Sequence, residues 1–288
     1  MNLKEMIFVL YDLGISTSTL SRLYKEADEK QIQQLLEGEY LELQFSLGVF
    51  SEKELKLLSS LESIQQSVAN ISRTLKEFEV NKIEYFLYYD DEYPKPLKNI
   101  PSPPLFIFMK GNKNILNNQF VCSIVGTRNP AASTLDQIEL TVRDLVSADI
   151  AIASGLAIGT DIYAHKCTLN EYGKAIAVLP GPVNNVIPKS HNSYANEILA
   201  KNGLLVSEYY KTEFKKTNYI HRNRIISGLS DAVIIAECSE KSGTMHTARF
   251  AYKQKKPLFC FNNTSSGVLK ILSSNSAKVF KGVKDFHL

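Results

Sequence analysis

The sequence predicts an α/β protein in which a doubly wound, mainly parallel sheet follows a small all-helical region. From residue 120 onward, short apolar segments alternate with stretches of helical character, and most of these segments are apolar throughout. Continuous apolar runs are typical of parallel strands that helices cover on both faces. Residues 1–76 instead have apolar side chains at helical spacing, as in the series Leu55, Leu58, Leu61 and Ile64.

The predicted strands are apolar segments that end in loops rich in small residues. They are residues 120–126, 150–154, 174–181, 203–208, 231–237 and 257–261, with helices expected at 134–147, 161–172 and 245–255. Residues 105–109 predict one more short strand. It follows five prolines between Pro94 and Pro104, which we expect to exclude regular structure. Because that segment is rich in apolar and aromatic residues, we interpret it as an ordered connector.

Charge is distributed unevenly along the chain. The 288 residues include 33 Lys and Arg against 30 Asp and Glu, a net charge of +3. Residues 1–80 hold 8 basic and 13 acidic residues, a net charge of −5, which leaves +8 for residues 81–288. A basic region suits a polyanionic partner, although scattered solvated lysines give the same count. We expect a helical domain at 1–80, a connector with the first strand at 81–111, and the α/β domain at 112–288.

Several classes of protein are disfavoured by the composition. No apolar run approaches the ~20 residues that a membrane-spanning helix needs. The N-terminus carries Glu5 and Asp12 and lacks a small-residue cleavage site, which argues against a signal peptide. The four cysteines have no metal-binding spacing. We therefore expect buried free thiols in a cytoplasmic protein that has no metal, no cofactor and no membrane partner.

Four segments near the carboxyl ends of the predicted strands carry the chemical signal. In a doubly wound sheet, ligands bind beyond those strand ends. Glycine lets backbone N–H groups approach a phosphate, a helix N-terminus favours an anion, and an arginine fork matches a phosphodiester. We therefore predict a phosphate-binding site here. Its candidate residues are Gly126, Thr127, Arg128, Ser154, Gly155, Gly159, Arg222, Asn223, Arg224, Ser242, Gly243 and Thr244.

Some residues in or near these loops leave two interpretations open. Asp161 is either a helix cap, which we favour, or a carboxylate of the ligand site. His165 is a hydrogen-bonded, partly buried histidine, which we favour, or one half of an acid–base pair with Asp161. We expect one of Arg222 and Arg224 to bind the ligand and the other to brace the loop, in an order that the sequence does not settle. Lys189 lies near a tyrosine in a loop suited either to single-strand binding or to plain solvation.

Four motifs, in this order and spacing, resemble the DNA-processing protein A family (DprA, also called Smf). They are SIVGTRNP (123–130), SGLAIGTDIYAH (154–165), RNRIISGLS (222–230) and SGTMHTA (242–248), and residues 93–111 are similar to that family's entry segment. The resemblance implies an extended Rossmann-like fold preceded by a small SAM-like helical domain. It also implies a non-enzymatic homodimer of natural transformation that binds and protects single-stranded DNA and loads RecA recombinase onto it. The family's DNA site corresponds to Arg128, and its lysine best matches Lys189.

The chain departs from the family's pattern at Thr160, at His221 and in residues 262–267, and we expect no C-terminal winged helix. The departure after residue 261 affects the expected dimer and partner surface more than the DNA site. One alternative is a nucleotide phosphoribohydrolase of the LOG family, which has a related fold. The catalytic glutamate of that family falls at Thr247, where a hydroxyl cannot do the work of a carboxylate, so we expect no catalytic residue. Another is a protein scaffold that docks partners through acidic patches of residues 1–80.

Overall fold

The computed structural model describes residues 1–212 and 215–286, and the chain divides into two compact units, Met1–Lys82 and Ile83–Leu288. The first unit is helical over its whole described length, as the apolar spacing predicts. Its helices are α1 (Leu3–Leu13), α2 (Thr17–Glu26), α3 (Glu29–Leu36), α4 (Leu41–Leu47), α5 (Glu52–Leu58) and α6 (Leu61–Asn81).

Helix α1 is the centre of the first unit. Ile7, Val9 and Leu10 are fully buried, and the ring of Phe8 stacks on that of Phe78 in α6 with 6.4 Å between centroids. Such burial on most sides of one helix requires neighbours around it, which α2, α3 and α6 supply. The core of this unit is therefore formed by helix packing alone.

The second unit is built on a sheet that, among its described residues, has nine strands in the order β1-β2-β6-β5-β4-β3-β7-β8-β9. The strands are β1 (Ile83–Leu87), β2 (Phe106–Gly111), β3 (Val121–Val125), β4 (Ala151–Ser154), β5 (Ala175–Val178), β6 (Leu204–Ser207), β7 (Ala232–Ile235), β8 (Leu258–Cys260) and β9 (Lys278–Val279). All pairings among strands β3 to β9 are parallel. Strand β2 pairs antiparallel with both of its neighbours, β1 and β6. The prediction of a mainly parallel sheet is confirmed.

Helices cover both faces of this sheet. They are α7 (Lys95–Lys98), α8 (Ile115–Asn118), α9 (Ala132–Ser147), α10 (Thr160–Asn170), α11 (Asn192–Ala200), α12 (Lys216–Leu229), α13 (Thr244–Lys253) and α14 (Ser266–Ser273). Successive residues of a strand enter opposite cores: Val233 and Ile235 belong to one hydrophobic cluster, and Ala232 and Ile234 belong to the other. This arrangement explains why the strands are apolar throughout.

Two sequence predictions are wrong in the segment before β3. Strand β1 was not expected, and the proline-rich connector contains α7, although we expected no regular structure there. Pro96 is tolerated because it lies in the first turn of α7, where a backbone N–H has no partner within the helix. Strand β1 has an exposed glutamate, Glu84, and pairs at the edge of the sheet, so it lacks the continuous apolar pattern of the inner strands.

The prediction of a loop at residues 222–230 is also wrong, because Arg222 to Leu229 lie inside α12. Gly228 made this segment resemble a loop. In the structure Gly228 allows close packing instead, since a Cβ at this position would lie 2.9 Å from a methyl group of Leu97 and 3.1 Å from one of Ile100. Helix α12 thus approaches the connector closely, and the arginines before Gly228 project from a rigid helix.

The four cysteines are buried free thiols, as predicted. Burial raises the pKa of Cys167 and Cys238 to about 11. In the part of the chain that the structure describes, no helix is long and apolar enough to span a bilayer.

Candidate functional site

A cavity of about 420 Å³ opens at the carboxyl ends of β3, β4 and β7. Strand β3 lies between β4 and β7, where the chain order of the sheet reverses, and doubly wound folds bind their ligands at this point. The cavity brings together residues from three of the predicted segments and from α12. The predicted residues that line it are Gly126, Thr127, Arg128, Arg222, Asn223, Ser242, Gly243 and Thr244.

Hydrogen bonds tie the loops around the cavity to one another. The N–H of Thr127 donates to the carbonyl of Glu237 at 2.7 Å, and the hydroxyl of Thr244 donates to the carbonyl of Gly126 at 2.9 Å. Thr160 donates its N–H and its hydroxyl to the carbonyl of Thr127 at 3.1 and 3.0 Å. Thr127 and Thr244 were predicted to bind phosphate, but the N–H of Thr127 and the hydroxyl of Thr244 stabilise the protein itself.

Glycines allow these loops to approach one another. A Cβ on Gly126 would lie within 3.0 Å of Thr160 and of the Glu237 backbone. Gly159 has a φ of +88° and packs on the backbone of Arg128, where a side chain would clash. Gly159 does not line the cavity. Its effect on a ligand is indirect, because it fixes the loop that carries Arg128.

Arg128 and Arg222 give the cavity two cations of different character. Arg128 lines the cavity and is exposed to solvent, so a ligand that enters from solvent can reach it. Arg222 is only 3% exposed, and its Nη1 donates to the carbonyl of Val178 at 2.5 Å. Burial lowers the pKa of Arg222, and the charge of Asp161 opposes that fall. Arg222 is thus a fixed cation beneath the cavity.

Asp161 braces the loop after β4 and is not the helix cap that we favoured. Its carboxylate accepts the N–H of Gly155 at 3.1 Å, whereas Gly159 occupies the N-cap position of α10 without a side-chain bond. Burial raises the pKa of Asp161, and the charge of Arg222 opposes that rise. The carboxylate lines the cavity, but it already accepts a hydrogen bond from the loop backbone, and the charge of Arg222 favours its ionised form.

Two predicted ligand residues at the end of β4, Ser154 and Gly155, are structural. Ser154 is fully buried and donates its hydroxyl to the carbonyl of Ile124 at 2.6 Å. Gly155 is buried beneath the guanidinium of Arg222, which occupies the place of a Cβ. A ligand in the cavity cannot reach either residue directly, so both predictions are corrected to a supporting role.

Arg224 is the bracing arginine of the pair that the sequence left undecided. Its guanidinium forms a two-point ion pair with Glu208, with N–O distances of 2.9 and 2.6 Å, and its Nε donates to the carbonyl of Ser102 at 3.0 Å. Arg224 does not line the cavity. Its prediction as a ligand residue is therefore corrected: it holds α12 against the connector.

Two buried polar atoms of cavity residues have no hydrogen-bond partner in the described structure. They are Nε of Arg222, a donor, and Oγ of Ser242, a donor or acceptor. Unpaired buried polar groups are rare and costly in folded proteins. Since both residues line the cavity, an acceptor such as a phosphate or carbonyl oxygen would satisfy them.

Lys189 lies beside the site without lining the cavity. It is exposed and begins a 3₁₀ turn, Lys189–His191. His191 Nδ1 hydrogen-bonds with the carbonyl of Leu156 at 2.8 Å, which holds this turn on the loop after β4. The position of Lys189 suits contact with a ligand that extends out of the cavity.

His165 is fully buried, which differs from the hydrogen-bonded, partly buried histidine that we favoured. Neither ring nitrogen makes a bond of hydrogen-bond geometry within the described residues. Burial lowers the pKa of His165 to about 3, and the nearby backbone of Ser154 opposes that fall only in part. The ring is therefore neutral at pH 7, and it is not an acid–base partner of Asp161.

Glu237 is a second carboxylate whose backbone and side chain bond to the loops around the cavity. It accepts the N–H of Ala131 at 2.9 Å and the hydroxyl of Thr134 at 2.7 Å, and so caps the N-terminus of α9. Tyr219 also lines the cavity and was not among the predicted residues. A helical interpretation of 216–229 would have found it, because residues 219, 222, 223 and 226 share one helix face.

A family model described as DNA recombination-mediator protein A matches residues 84–287. The chain belongs to this family. DNA processing protein DprA of Bacillus subtilis (strain 168) is 29% identical over 240 residues, 81% of this chain and 80% of that protein. DNA processing protein DprA of Streptococcus pneumoniae is 34% identical over 185 residues, 64% of each chain. Protein Smf of Synechocystis is 32% identical over 228 residues, and the chain spans only 57% of that relative.

Two solved structures of the family are similar to this chain. DNA processing protein A from S. pneumoniae has a TM-score of 0.74 at 24% identity, covering 99% of this chain and 97% of that one. DNA processing protein A from Helicobacter pylori, whose structure concerns its single-stranded DNA binding mode, has a TM-score of 0.64 at 30% identity, covering 72% and 94%. The resemblance to the DprA family and the predicted fold class are confirmed. The chain has a DNA-processing role of the DprA type.

Proposed function

We propose that this chain binds and protects single-stranded DNA at the cavity beyond β3, β4 and β7, without catalysing a reaction. The observation that carries the proposal is the pair of cations at one cavity, exposed Arg128 and fixed Arg222. An exposed arginine fork can donate two parallel hydrogen bonds to the oxygens of one phosphodiester group, and a buried cation attracts the same charge at longer range. The H. pylori relative, described by its single-stranded DNA binding mode, supports the same ligand.

The composition of the cavity lining favours a flexible strand. The lining combines two arginines with apolar and aromatic groups, among them Ile158, which is 54% exposed, and Tyr219. Sequence-tolerant sites for single strands combine a basic track with surfaces on which bases stack. In a duplex, stacking and pairing occupy the faces and edges of the bases, so a duplex can present little besides its backbone to this cavity.

The same site lacks a carboxylate available for acid–base chemistry among the described residues that line it. Asp161 accepts a hydrogen bond from the loop backbone and is influenced by the charge of Arg222, and Thr247 occupies the position of the LOG-family glutamate. Incubating the protein with AMP and measuring released adenine by chromatography tests the enzymatic alternative. Steady turnover would overturn the non-enzymatic assignment.

We further propose that the protein is a homodimer that loads RecA recombinase onto the bound strand. The description of its family as a recombination mediator supports the recombinase step. The exposed side chains of Tyr252 in α13 and Leu269 in α14, at 64% and 51%, offer apolar area for self-association. Light scattering after gel filtration measures the dimer. RecA filament growth on single-stranded DNA, with and without this protein, measures loading.

Direct binding decides the DNA proposal. We expect a fluorescent single-stranded oligonucleotide to bind more tightly than its duplex at every salt concentration, and we expect Arg128→Ala to weaken single-strand binding by about tenfold or more. Arg143→Ala is the matched control, because Arg143 lies outside the cavity on α9 and pairs with Glu139 of the same helix and with Glu171 at the end of α10. Equal binding of both variants and the unaltered protein would refute the site.

A further inference from the structure

Helix α4 exposes large apolar side chains that the core does not use. Phe45 is 88% exposed and Leu41 is 60% exposed, and their spacing of four residues places them on one helix face. Leu61, the first residue of α6, is 49% exposed and lies beside Gly38, which precedes α4 in the chain. We call Leu41, Phe45 and Leu61 the α4 patch.

The packing of α4 is already provided by other residues. Leu43, on another side of the helix, is only 2% exposed, and Phe50 is buried at 6% just after the helix ends. Gly48 ends α4 in the left-handed conformation, and its N–H donates to the carbonyl of Gln44 at 2.9 Å. Since these contacts hold the helix, the exposed ring of Phe45 contributes little to folding.

The surroundings of the α4 patch are acidic. Residues 31–52 contain no Lys or Arg over 22 consecutive positions, while Glu37, Glu39 and Glu42 lie next to or between the patch residues. The Arg22 guanidinium reaches the carbonyl of Leu47 at the carboxyl end of α4, where it is paired with Glu26 at 3.1 Å. A phosphate backbone would therefore be repelled from this face rather than bound.

We infer that the α4 patch is a docking surface for a partner protein that presents an amphipathic helix with an apolar ridge flanked by Lys and Arg. An apolar ridge would bury Phe45 and Leu41, and the flanking cations would face the three glutamates. Recognition of this kind uses apolar anchors at helical spacing for affinity and complementary charge for selection of the partner. The inference does not depend on the proposed DNA site, because the α4 patch and that site lie in different units of the chain.

The test uses the full chain and a model helix. The probe is a fluorescent synthetic peptide of about 18 residues with Leu at positions i, i+3, i+4 and i+7 of each repeat and Lys elsewhere. Its counterpart has Glu in place of every Lys. We expect the Lys peptide to bind, more weakly as salt rises, and the Glu peptide not to bind. Phe45→Ser should weaken binding of the Lys peptide by about tenfold.

Two further variants make the result specific. Val80→Ser is the control, since Val80 is 82% exposed in α6 and lies outside the α4 patch, and we expect unchanged binding. Glu42→Lys leaves every apolar group in place but reverses one charge, and we expect it to weaken binding as well. Circular dichroism melting checks that each variant is folded.

The inference fails if the Lys peptide does not bind, or if Phe45→Ser and Val80→Ser bind it equally well. A change in oligomeric state caused by Phe45→Ser alone would assign the α4 patch to a second copy of this chain instead. A loss of single-stranded DNA binding by the same variant would assign it to nucleic acid. Either outcome would overturn the inference, and neither would alter the result expected for Arg128→Ala.

Discussion

The guanidinium of Arg222 lies against the backbone of Gly155, in the space that a Cβ on residue 155 would occupy. Asp161 completes this arrangement, because its carboxylate accepts the N–H of Gly155 and its charge balances that of the buried arginine. The three residues come from the loop after β4, from the first turn of α10 and from α12. Together they fix one wall of the cavity.

Replacing Gly155 with alanine should displace this arginine. We expect Gly155→Ala to lower the free energy of unfolding by about 3 kcal/mol, because it separates a buried cation from its partners. Urea unfolding followed by circular dichroism measures the change. Gly243→Ala, at a cavity glycine where an added Cβ meets no atom within 4 Å, should change stability by less than about 0.5 kcal/mol. Similar losses in the two variants would contradict the close approach at Gly155.

Arg224 should contribute to the stability of the fold and not to DNA binding. Arg224→Ala removes the two-point ion pair with Glu208, whose partners are only 15% and 13% exposed, so we expect a loss of about 2 kcal/mol. The double variant with Arg224→Ala and Glu208→Gln should lose less stability than the sum of the losses in the two single variants, because each single variant already removes the same ion pair. Single-strand affinity should stay within about twofold. A tenfold loss of affinity at unchanged stability would return Arg224 to the ligand site.

Lys189 and Arg128 should each contribute a phosphate contact. If each makes one contact, the single variants Lys189→Ala and Arg128→Ala should lower the slope of log affinity against log salt by about 0.7. Filter binding over a series of salt concentrations measures the slope. If the slope is unchanged for Lys189→Ala alone, Lys189 does not contact a phosphate and the DNA contacts are limited to the cavity.

His165 should make stability depend on pH. Its pKa falls from the ordinary 6.5 to about 3 in the folded chain, so the unfolded chain binds a proton that the folded chain does not. The stability associated with a neutral ring is complete above pH 6.5 and is lost as pH falls toward 3. In His165→Leu the melting temperature should depend less on pH over this range. At pH 7 it should not be lower than in the unaltered protein, because the substitution removes two buried nitrogens that have no hydrogen-bond partner. A steeper dependence in the variant would contradict this assignment.

The sequence predicted the inner strands well because their residues meet apolar neighbours on both faces. It also predicted which strand ends meet, since parallel strands place their following loops at one edge. It did not predict that Arg222 and Arg224 would project from a helix to different surroundings. That difference depends on Gly155, Glu208 and Ser102, which are distant in sequence and contact these arginines only in the folded chain.

The bonds from Thr244 to Gly126 and from Thr160 to Thr127 have a kinetic consequence. Loops already joined to one another have little to rearrange when a strand arrives. Association should then be limited by diffusion and by attraction to Arg128, and should slow as salt rises. Differences in affinity among strands of one length should appear mainly in how long each remains bound.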